Sequence, residues 1–318
     1  MVIPQLHGVV AVIGAGSIGR RHAANLASLG AEVELIPWRS FSAQALASRD
    51  DIAAVVIATA TPIRLELVRL CAEQGWPFYA EKPLAWRREQ VEAIHGAAGP
   101  VAERSMVGFM LRYHPAVRAL AGLDLTDTFR FQAEIGHDVR QWRANWRFSE
   151  SYAAQAEGGG VLLDLSHELD LACALFPGLT LRDAQALGHA DFPGVDFATS
   201  LHLTTPSGAA GSIAMDYLSP VFVRRLVLCG TGKRIELDLL TPRLTTITGA
   251  TESVQGFCFE RNQMFLDAMA DFLHLVGGKP LPPDRLRPRF DQMEASSQLI
   301  ATAWEQRQFT GHVVMGIT

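Results

Sequence analysis

Val9-Val10-Ala11-Val12-Ile13-Gly14-Ala15-Gly16-Ser17-Ile18-Gly19 is the stretch that decides the fold of the first hundred residues. Five consecutive apolar residues bounded by glycine suit a strand buried on both faces, as in a parallel sheet. The glycines are spaced G-x-G-x-x-G, and a helical pattern (Ile18, Ala23, Leu26, Ala27) starts inside them and stops at Gly30. In such a loop the first glycine permits a tight turn and the second lets backbone approach a pyrophosphate. The third lets the helix pack close to the strand. The helix start adds unpaired N–H groups and a partial positive charge for the anion. By itself the spacing also fits a glycine turn that binds nothing. A buried strand before it, a helix within it and more β-α units after it favour a dinucleotide site at Gly14, Gly16, Ser17, Ile18 and Gly19.

Outward from the loop, short apolar runs recur at residues 33–36, 53–58 and 78–80, with a helical pattern over 65–74 closed by Gly75. Repeated β-α units with buried strands predict a doubly wound parallel sheet, a Rossmann domain over residues 1–105. After about residue 105 the pattern changes to alternation. Phe129, Phe131, Ala133 and Ile135 fall on one face of a predicted strand. Residues 200–204 and 211–216 flank Pro206-Ser207-Gly208, and 226–228 and 235–239 flank Gly230-Thr231-Gly232, which reads as antiparallel hairpins. One helix is expected over 162–175 and two more over 259–276 and 290–307, the last two separated by a proline-rich link. The expected organisation is α/β, then an α+β domain over 106–288 with a large, mostly antiparallel sheet. A final helix over 289–307 is expected to pack back on the first domain.

The 318 residues carry 28 Lys+Arg against 33 Asp+Glu, a formal charge of −5, with 48% apolar and 19% charged residues. That composition excludes a disordered chain, and the acidic balance argues against a nucleic-acid partner. No apolar run reaches the ~20 residues of a membrane span. With residues 9–13 running straight into glycines in place of a leader pattern, a soluble cytoplasmic protein is expected. Cys71, Cys173, Cys229 and Cys258 have no short-spaced pair, so neither a disulfide framework nor a metal site is expected.

The second strand indicates which dinucleotide is held. An NAD site usually places Asp or Glu at its end to accept from the ribose 2′-OH. Here the segment reads Ile36-Pro37-Trp38-Arg39-Ser40, without a carboxylate. Arg39 can pair a 2′-phosphate, Ser40 can donate to it, and Trp38 or Arg39 can stack on adenine; the alternative is a solvated loop arginine. NADP(H) is preferred, with NAD(H) admissible. Thr59, Glu81 and Lys82, at later strand ends, complete the candidate cofactor contacts.

Two further motifs follow: Ala80-Glu81-Lys82-Pro83-Leu84, and Gly158-Gly159-Gly160-Val161-Leu162-Leu163-Asp164-Leu165-Ser166-His167-Glu168-Leu169-Asp170. With the glycine loop, in this order, they resemble the Gfo/Idh/MocA family of NAD(P)-dependent oxidoreductases, which includes glucose–fructose oxidoreductase and inositol dehydrogenase. The resemblance spans nearly the whole chain, including Arg112-Tyr113-His114-Pro115. It implies a catalytic Lys82 and His167, accompanying aspartates Asp164 and Asp170, a cis Lys82–Pro83 peptide, and a homodimer or homotetramer built on the second sheet. Two departures stand out. Asp164 and His167 are three residues apart where many members have four. Thr61-Pro62-Ile63-Arg64-Leu65-Glu66 lacks the histidine that members often carry there, and Arg64 is a candidate to reshape the nicotinamide or substrate edge.

These residue types suit alcohol oxidation. Histidine titrates near neutrality and serves as the base. On one helix, Asp164 and Asp170 would each lie three residues from His167, on its face, and favour the imidazolium. A lysine at the C-terminal end of a parallel strand points to the ligand crevice, where its ammonium can stabilise alkoxide character. Gly158-Gly159-Gly160 reads as a flexible entry for substrate. Glu81 is a structural or cofactor-edge hydrogen-bonder. Trp142, Arg143, Asn145, Trp146 and Tyr152 offer aromatic faces and donors for a sugar ring, with loop packing as the alternative. Arg112 and His114 either bind substrate or serve interdomain structure. The expected activity is an NADP(H)-preferring dehydrogenase or reductase of a sugar, polyol or nucleotide-sugar derivative. The alternatives are an enzyme that recycles a tightly bound cofactor (aldose oxidoreduction or transient-oxidation glycoside cleavage) and a non-catalytic dinucleotide-binding regulator.

Overall fold

β1 (Val9–Ile13) is buried at every position, which is why its residues are apolar without alternation. It leads into α1 (Ser17–Ser28), β2 (Glu32–Ile36), α2 (Ala43–Ala47), β3 (Ile52–Ile57), α3 (Arg64–Glu73), β4 (Phe78–Ala80), α4 (Arg88–Ala98) and β5 (Met106–Val107). The strands pair in parallel in the order β2-β1-β3-β4-β5. Strand order reverses between β1 and β3, so a ligand crevice is expected beyond their carboxyl ends, where the glycine loop lies. The computed structural model describes residues 4, 6–142, 147–314 and 316.

The chain continues through α5 (Pro115–Ala121), β6 (Thr128–Gly136), α6 (Val161–Asp164), α7 (His167–Leu175) and β7 (Thr180–His189). Then come β8 (Ala198–Thr204), β9 (Ala210–Asp216), β10 (Val223–Gly230), β11 (Arg234–Asp238), β12 (Arg243–Thr248) and β13 (Thr251–Gly256). It closes with α8 (Arg261–Val276), α9 (Glu294–Gln306) and β14 (Gln308–Val313). The second sheet has nine strands in the order β13-β12-β11-β10-β6-β9-β8-β7-β14, antiparallel except at β6–β9 and β14–β7. The Rossmann sheet and the large, mostly antiparallel sheet are the α/β and α+β architecture expected from the sequence. Leu201, Leu203, Ile213, Met215, Leu226, Leu228, Ile235 and Leu237 supply its buried positions, and Phe131 stacks on Phe176 after α7 (4.7 Å, 14°).

Phe129 departs from the expected alternation. Phe131, Ala133 and Ile135 are buried, but Phe129 is 51% exposed. Pairing of β10 with β6 shifts register there, Cys229 opposite Arg130 and Gly230 opposite Thr128, which leaves Phe129 as the extra residue of a bulge. A bulged residue loses its place in the pleat and turns off the core face.

Two compact units emerge, one of Met1–His114 with Phe259–Gln298, the other of Pro115–Cys258 with Leu299–Thr318. The first unit runs past residue 105 because β5 still pairs with β4 and the Tyr113 hydroxyl donates to Asp271 of α8 (2.8 Å). α8, placed by the sequence in the second domain, belongs with the first, where Phe272 meets Tyr79 edge-on (5.8 Å). The division falls within α9, after Gln298. Among the described residues, no helix is long and apolar enough to cross a membrane.

Candidate functional site

In the first unit, Gly14 follows β1 at φ +108°, its N–H donating to Ile36 (2.9 Å) while Ala58 N–H donates to Ile13 (2.9 Å). A Cβ on Gly14 would overlap the Ala58 carbonyl, and one on Gly19 would overlap the Gly14 carbonyl. Gly16 differs, because a Cβ there meets nothing within 4 Å. Gly16 is also the N-cap of α1, in extended backbone, with no side chain capping the helix and no acidic residue in its first turn. The first N–H groups of α1 thus stand at the positive end of the macrodipole, with no side-chain anion competing for them. Such a cradle fits a pyrophosphate.

Trp38, Arg39 and Ser40 form a short 3-10 turn after β2. Trp38 stacks on Phe41 (5.2 Å, 17°), leaving its outer face for a planar ring, and Arg39 is exposed. The Ser40 hydroxyl donates to the Pro37 carbonyl (3.0 Å) instead of pointing outward. Thr59 follows β3, and its carbonyl accepts from Arg64 Nη2 (3.2 Å). Arg64 is itself buried, so its bond to Thr59 holds the backbone after β3 and its side chain is not an exposed edge.

Lys82 follows β4, half-buried, and the Lys82–Pro83 peptide is cis. Glu81 N–H donates to Ile57 (3.0 Å), and its carboxylate meets His22 Nε2 of α1 at 2.6 Å. Arg112 and His114 are buried within the same unit: Arg112 Nη2 donates to Ser296 (3.2 Å), and His114 packs edge-on against Phe259 (4.5 Å, 77°). Those contacts tie the turn after β5 to the segment that returns at Phe259.

The second unit holds Asp164, His167 and Asp170. The single helix expected over 162–175 is broken: α6 ends at Asp164, Leu165 leaves helical backbone (φ −99°, ψ 27°), and His167 is the first residue of α7. Asp164 and His167 therefore do not share a continuous helical face, whereas His167 and Asp170 do. Glu168 and Asp170 lie in the first turn of α7, where acidic residues complement the dipole. Asp170 is fully buried, and buried Glu168 is paired with Arg224 of β10 at 2.6 Å, which pins the helix start to the sheet.

Two phenols hold the Asp164 carboxylate. Tyr152 Oη donates to Oδ1 and Tyr217 Oη to Oδ2 (3.3 Å). Tyr217 is fully buried, and burial, then the Asp164 charge, pushes its phenol well above the usual range, so it stays a neutral donor. The sequence reading missed Tyr217, which sits 53 residues beyond Asp164 in an unremarkable strand end. Trp142 meets Tyr217 edge-on (5.1 Å, 82°) and lies nearly parallel to His137 (6.3 Å, 15°), so an aromatic run adjoins the carboxylate. Arg143, Asn145 and Trp146 lie outside the described residues.

Gly159 and Gly160, read as part of a flexible entry, are instead closely packed before α6. A Cβ on Gly159 would overlap the Gln155 carbonyl and crowd those of Tyr152 (2.7 Å) and Ala153 (2.8 Å). Gly160 lies at φ +93° with Asp196 Oδ1 against it. Buried Asp196 accepts from Leu162 N–H (2.9 Å) and Thr199 Oγ1 (2.8 Å), and Arg307 lies 3.4 Å from its other oxygen. Trp304 Nε1 donates to the Gly159 carbonyl (3.3 Å), and Arg307 covers the Trp304 ring (3.9 Å). Packing from α9 and Asp196 thus fixes the turn that delivers Asp164. Among the described residues, no group of three His, Cys, Asp or Glu side chains has metal-holding geometry.

Residues 116–236 match the family model of the GFO/IDH/MocA C-terminal domain. Trans-1,2-dihydrobenzene-1,2-diol dehydrogenase of Xenopus tropicalis is 26% identical over 222 residues, covering 67% of this chain and 64% of that protein. The chain therefore matches just under two thirds of that relative's length. The structure of KijD10, a 3-ketoreductase from Actinomadura kijaniata in complex with NADP and TDP-benzene, superposes with a TM-score of 0.74 at 19% identity, covering 96% of this chain and 99% of that one. A levoglucosan dehydrogenase in complex with NADH and levoglucosan gives 0.74 at 17% identity, covering 94% and 95%. Residues 116–236 of this chain thus resemble the GFO/IDH/MocA C-terminal domain, and its fold is shared with these solved structures.

Proposed function

We propose that the chain is an oxidoreductase that moves a hydride between a nicotinamide dinucleotide and a hydroxyl or keto carbon of a sugar, polyol or nucleotide-sugar derivative, with NADP(H) preferred over NAD(H). The observation that carries this reading is Gly16, the one glycine of the loop that the protein's own packing does not require. Sugar-type substrates are supported by the named relatives, one solved with levoglucosan and another with TDP-benzene. The bound cofactor supplies the hydride acceptor or donor. The chain supplies the rest: the start of α1 binds the pyrophosphate, Trp38 offers a ring face, and Arg39 pairs the 2′-phosphate. Lys82 stabilises negative charge on the reacting oxygen, and His167 takes or returns its proton. Asp164, fixed by two phenols, supplies the accompanying carboxylate, and Tyr152, 56% exposed, offers its ring to substrate. A homodimer or homotetramer through the nine-stranded sheet belongs to the same reading, and light scattering of the eluting protein checks it.

The test is a screen of sugars, polyols and nucleotide sugars with NADP⁺ and NAD⁺, read at the nicotinamide absorbance. On an active substrate, Lys82→Ala and His167→Ala are each expected to lower turnover ~100-fold or more while NADPH binding stays within a few-fold. Wild-type rates in either variant would remove that residue's role.

A further inference from the structure

Beside Lys82 lies a part-buried pair, His22 and Glu81, to which the proposed reaction gives no part. His22 is on α1, eight residues after Gly14, with its ring fully buried. Its Nε2 lies 2.6 Å from Glu81 Oε1, and its Nδ1 is buried with no hydrogen-bond partner among the described residues. The rest of its surroundings are aromatic: Tyr79 of β4 edge-on at 5.1 Å and Phe265 of α8 at 6.1 Å, with Arg21 over the far ring (4.8 Å). A site of that kind is filled more cheaply by an apolar side chain, because a buried imidazole nitrogen left without a partner is destabilising. The link to Glu81 is what histidine adds.

Glu81 is held on its other sides too. Its N–H is fixed to Ile57, and Gly108 lies so close that a Cβ there would stand 2.9 Å from the carboxyl carbon. The Gly108 N–H donates to the Ala80 carbonyl (2.8 Å), closing the strand end around the carboxylate. Lys82 is the next residue, so the orientation of its backbone is set where the helix of the nucleotide loop and the end of β4 are joined. We infer that His22, acting through Glu81, is a positioning residue that fixes Lys82 relative to the nucleotide loop; this rests on Lys82 being the group at the reacting oxygen.

The chain contains three lysines, Lys82, Lys233 and Lys279, so reductive methylation with ¹³C-formaldehyde gives a spectrum in which each is resolved. In His22→Leu, the Lys82 methyl resonance is expected to move and its titration midpoint to shift by ~0.5 unit or more, with Lys233 and Lys279 unmoved. His22→Gln, which keeps a donor near the place of Nε2, is expected to restore the Lys82 signal. Glu81→Gln, nearly isosteric, reports the same displacement if the leucine variant does not fold. On an active substrate, His22→Leu is expected to lower kcat about tenfold with the NADPH Kd within threefold, about 1.4 kcal/mol on the barrier. A Lys82 signal that stays put while the melting temperature falls would make the pair merely structural and overturn the inference. Failure to find any turnover would count against the proposed reaction, and the lysine spectrum would still decide the positioning.

Discussion

At Gly16 an added Cβ would enter open space, whereas at Gly159 and Gly160 it would strike carbonyls and a buried carboxylate. Both runs are glycine-rich turns that deliver a helix, α1 in one unit and α6 in the other. In the first, Gly14 answers to the backbone after β3 and Gly19 to the loop's own backbone, and Gly16 keeps a surface clear for something that is not protein. In the second, glycine is spent on the fold, since Asp196 and the backbone of residues 152–155 occupy the space a side chain would need. A glycine triplet before a catalytic-looking helix is therefore not evidence of a ligand loop. What distinguishes the two is which atoms a Cβ would meet.

The strongest way to break this contrast is Gly160→Ala. Strain at φ +93° together with overlap on Asp196 is expected to cost at least ~4 kcal/mol, read as lost cooperative unfolding or failure to recover soluble protein. A wild-type denaturation midpoint would show that the turn is not packed as described. Gly16→Ala should do the opposite. Stability is expected to stay within ~0.5 kcal/mol while the NADPH Kd rises about thirtyfold, ~2 kcal/mol; unchanged affinity would leave Gly16 without its ligand. Next in size is Arg39→Ala, expected to weaken NADPH about tenfold and NADH by less than twofold. Equal losses would remove the 2′-phosphate from the reading.

The smallest expected effect concerns Asp196 and its pH dependence. Burial raises its carboxyl above the ordinary value of 3.8, against the opposing pull of Arg307. Between 3.8 and the raised value the folded protein holds a proton that the unfolded chain has released, so this group's contribution to stability falls as pH rises through that window. Asp196→Asn cannot titrate, and its melting temperature is expected to lack that component of the slope. Parallel profiles for the two proteins would mean that the carboxyl is not perturbed.

Much of this was legible in the sequence because it is local. Continuous apolar runs announced β1 and β3, alternation announced β8 through β11, and turn residues bounded the hairpins. The remainder depends on partners far away in the chain. No period in residues 128–135 reveals that Gly230 shifts the register and turns Phe129 out. The same holds for Asp164, whose second phenol comes from Tyr217, and for Glu81, whose partner is His22. The helical pattern over 162–175 carries no mark of the break at Leu165, since both halves keep apolar residues at helical spacing. β14 was not anticipated because its pairing, parallel to β7, joins residues more than a hundred positions apart.

The return of Phe259–Gln298 to the first unit has a consequence for the order in which the protein is made. A nascent chain that has emerged to Val107 already holds all five strands of the first sheet, yet Tyr79, His22 and Phe78 still await Phe272, Phe265 and Phe290. Roughly 160 to 180 further residues must be synthesised before those rings are covered, at a few to twenty residues per second. In that interval the second unit's hairpins can pair while the older half of the protein remains unfinished. A fragment ending at His114 would keep the glycine loop and lose the wall behind it.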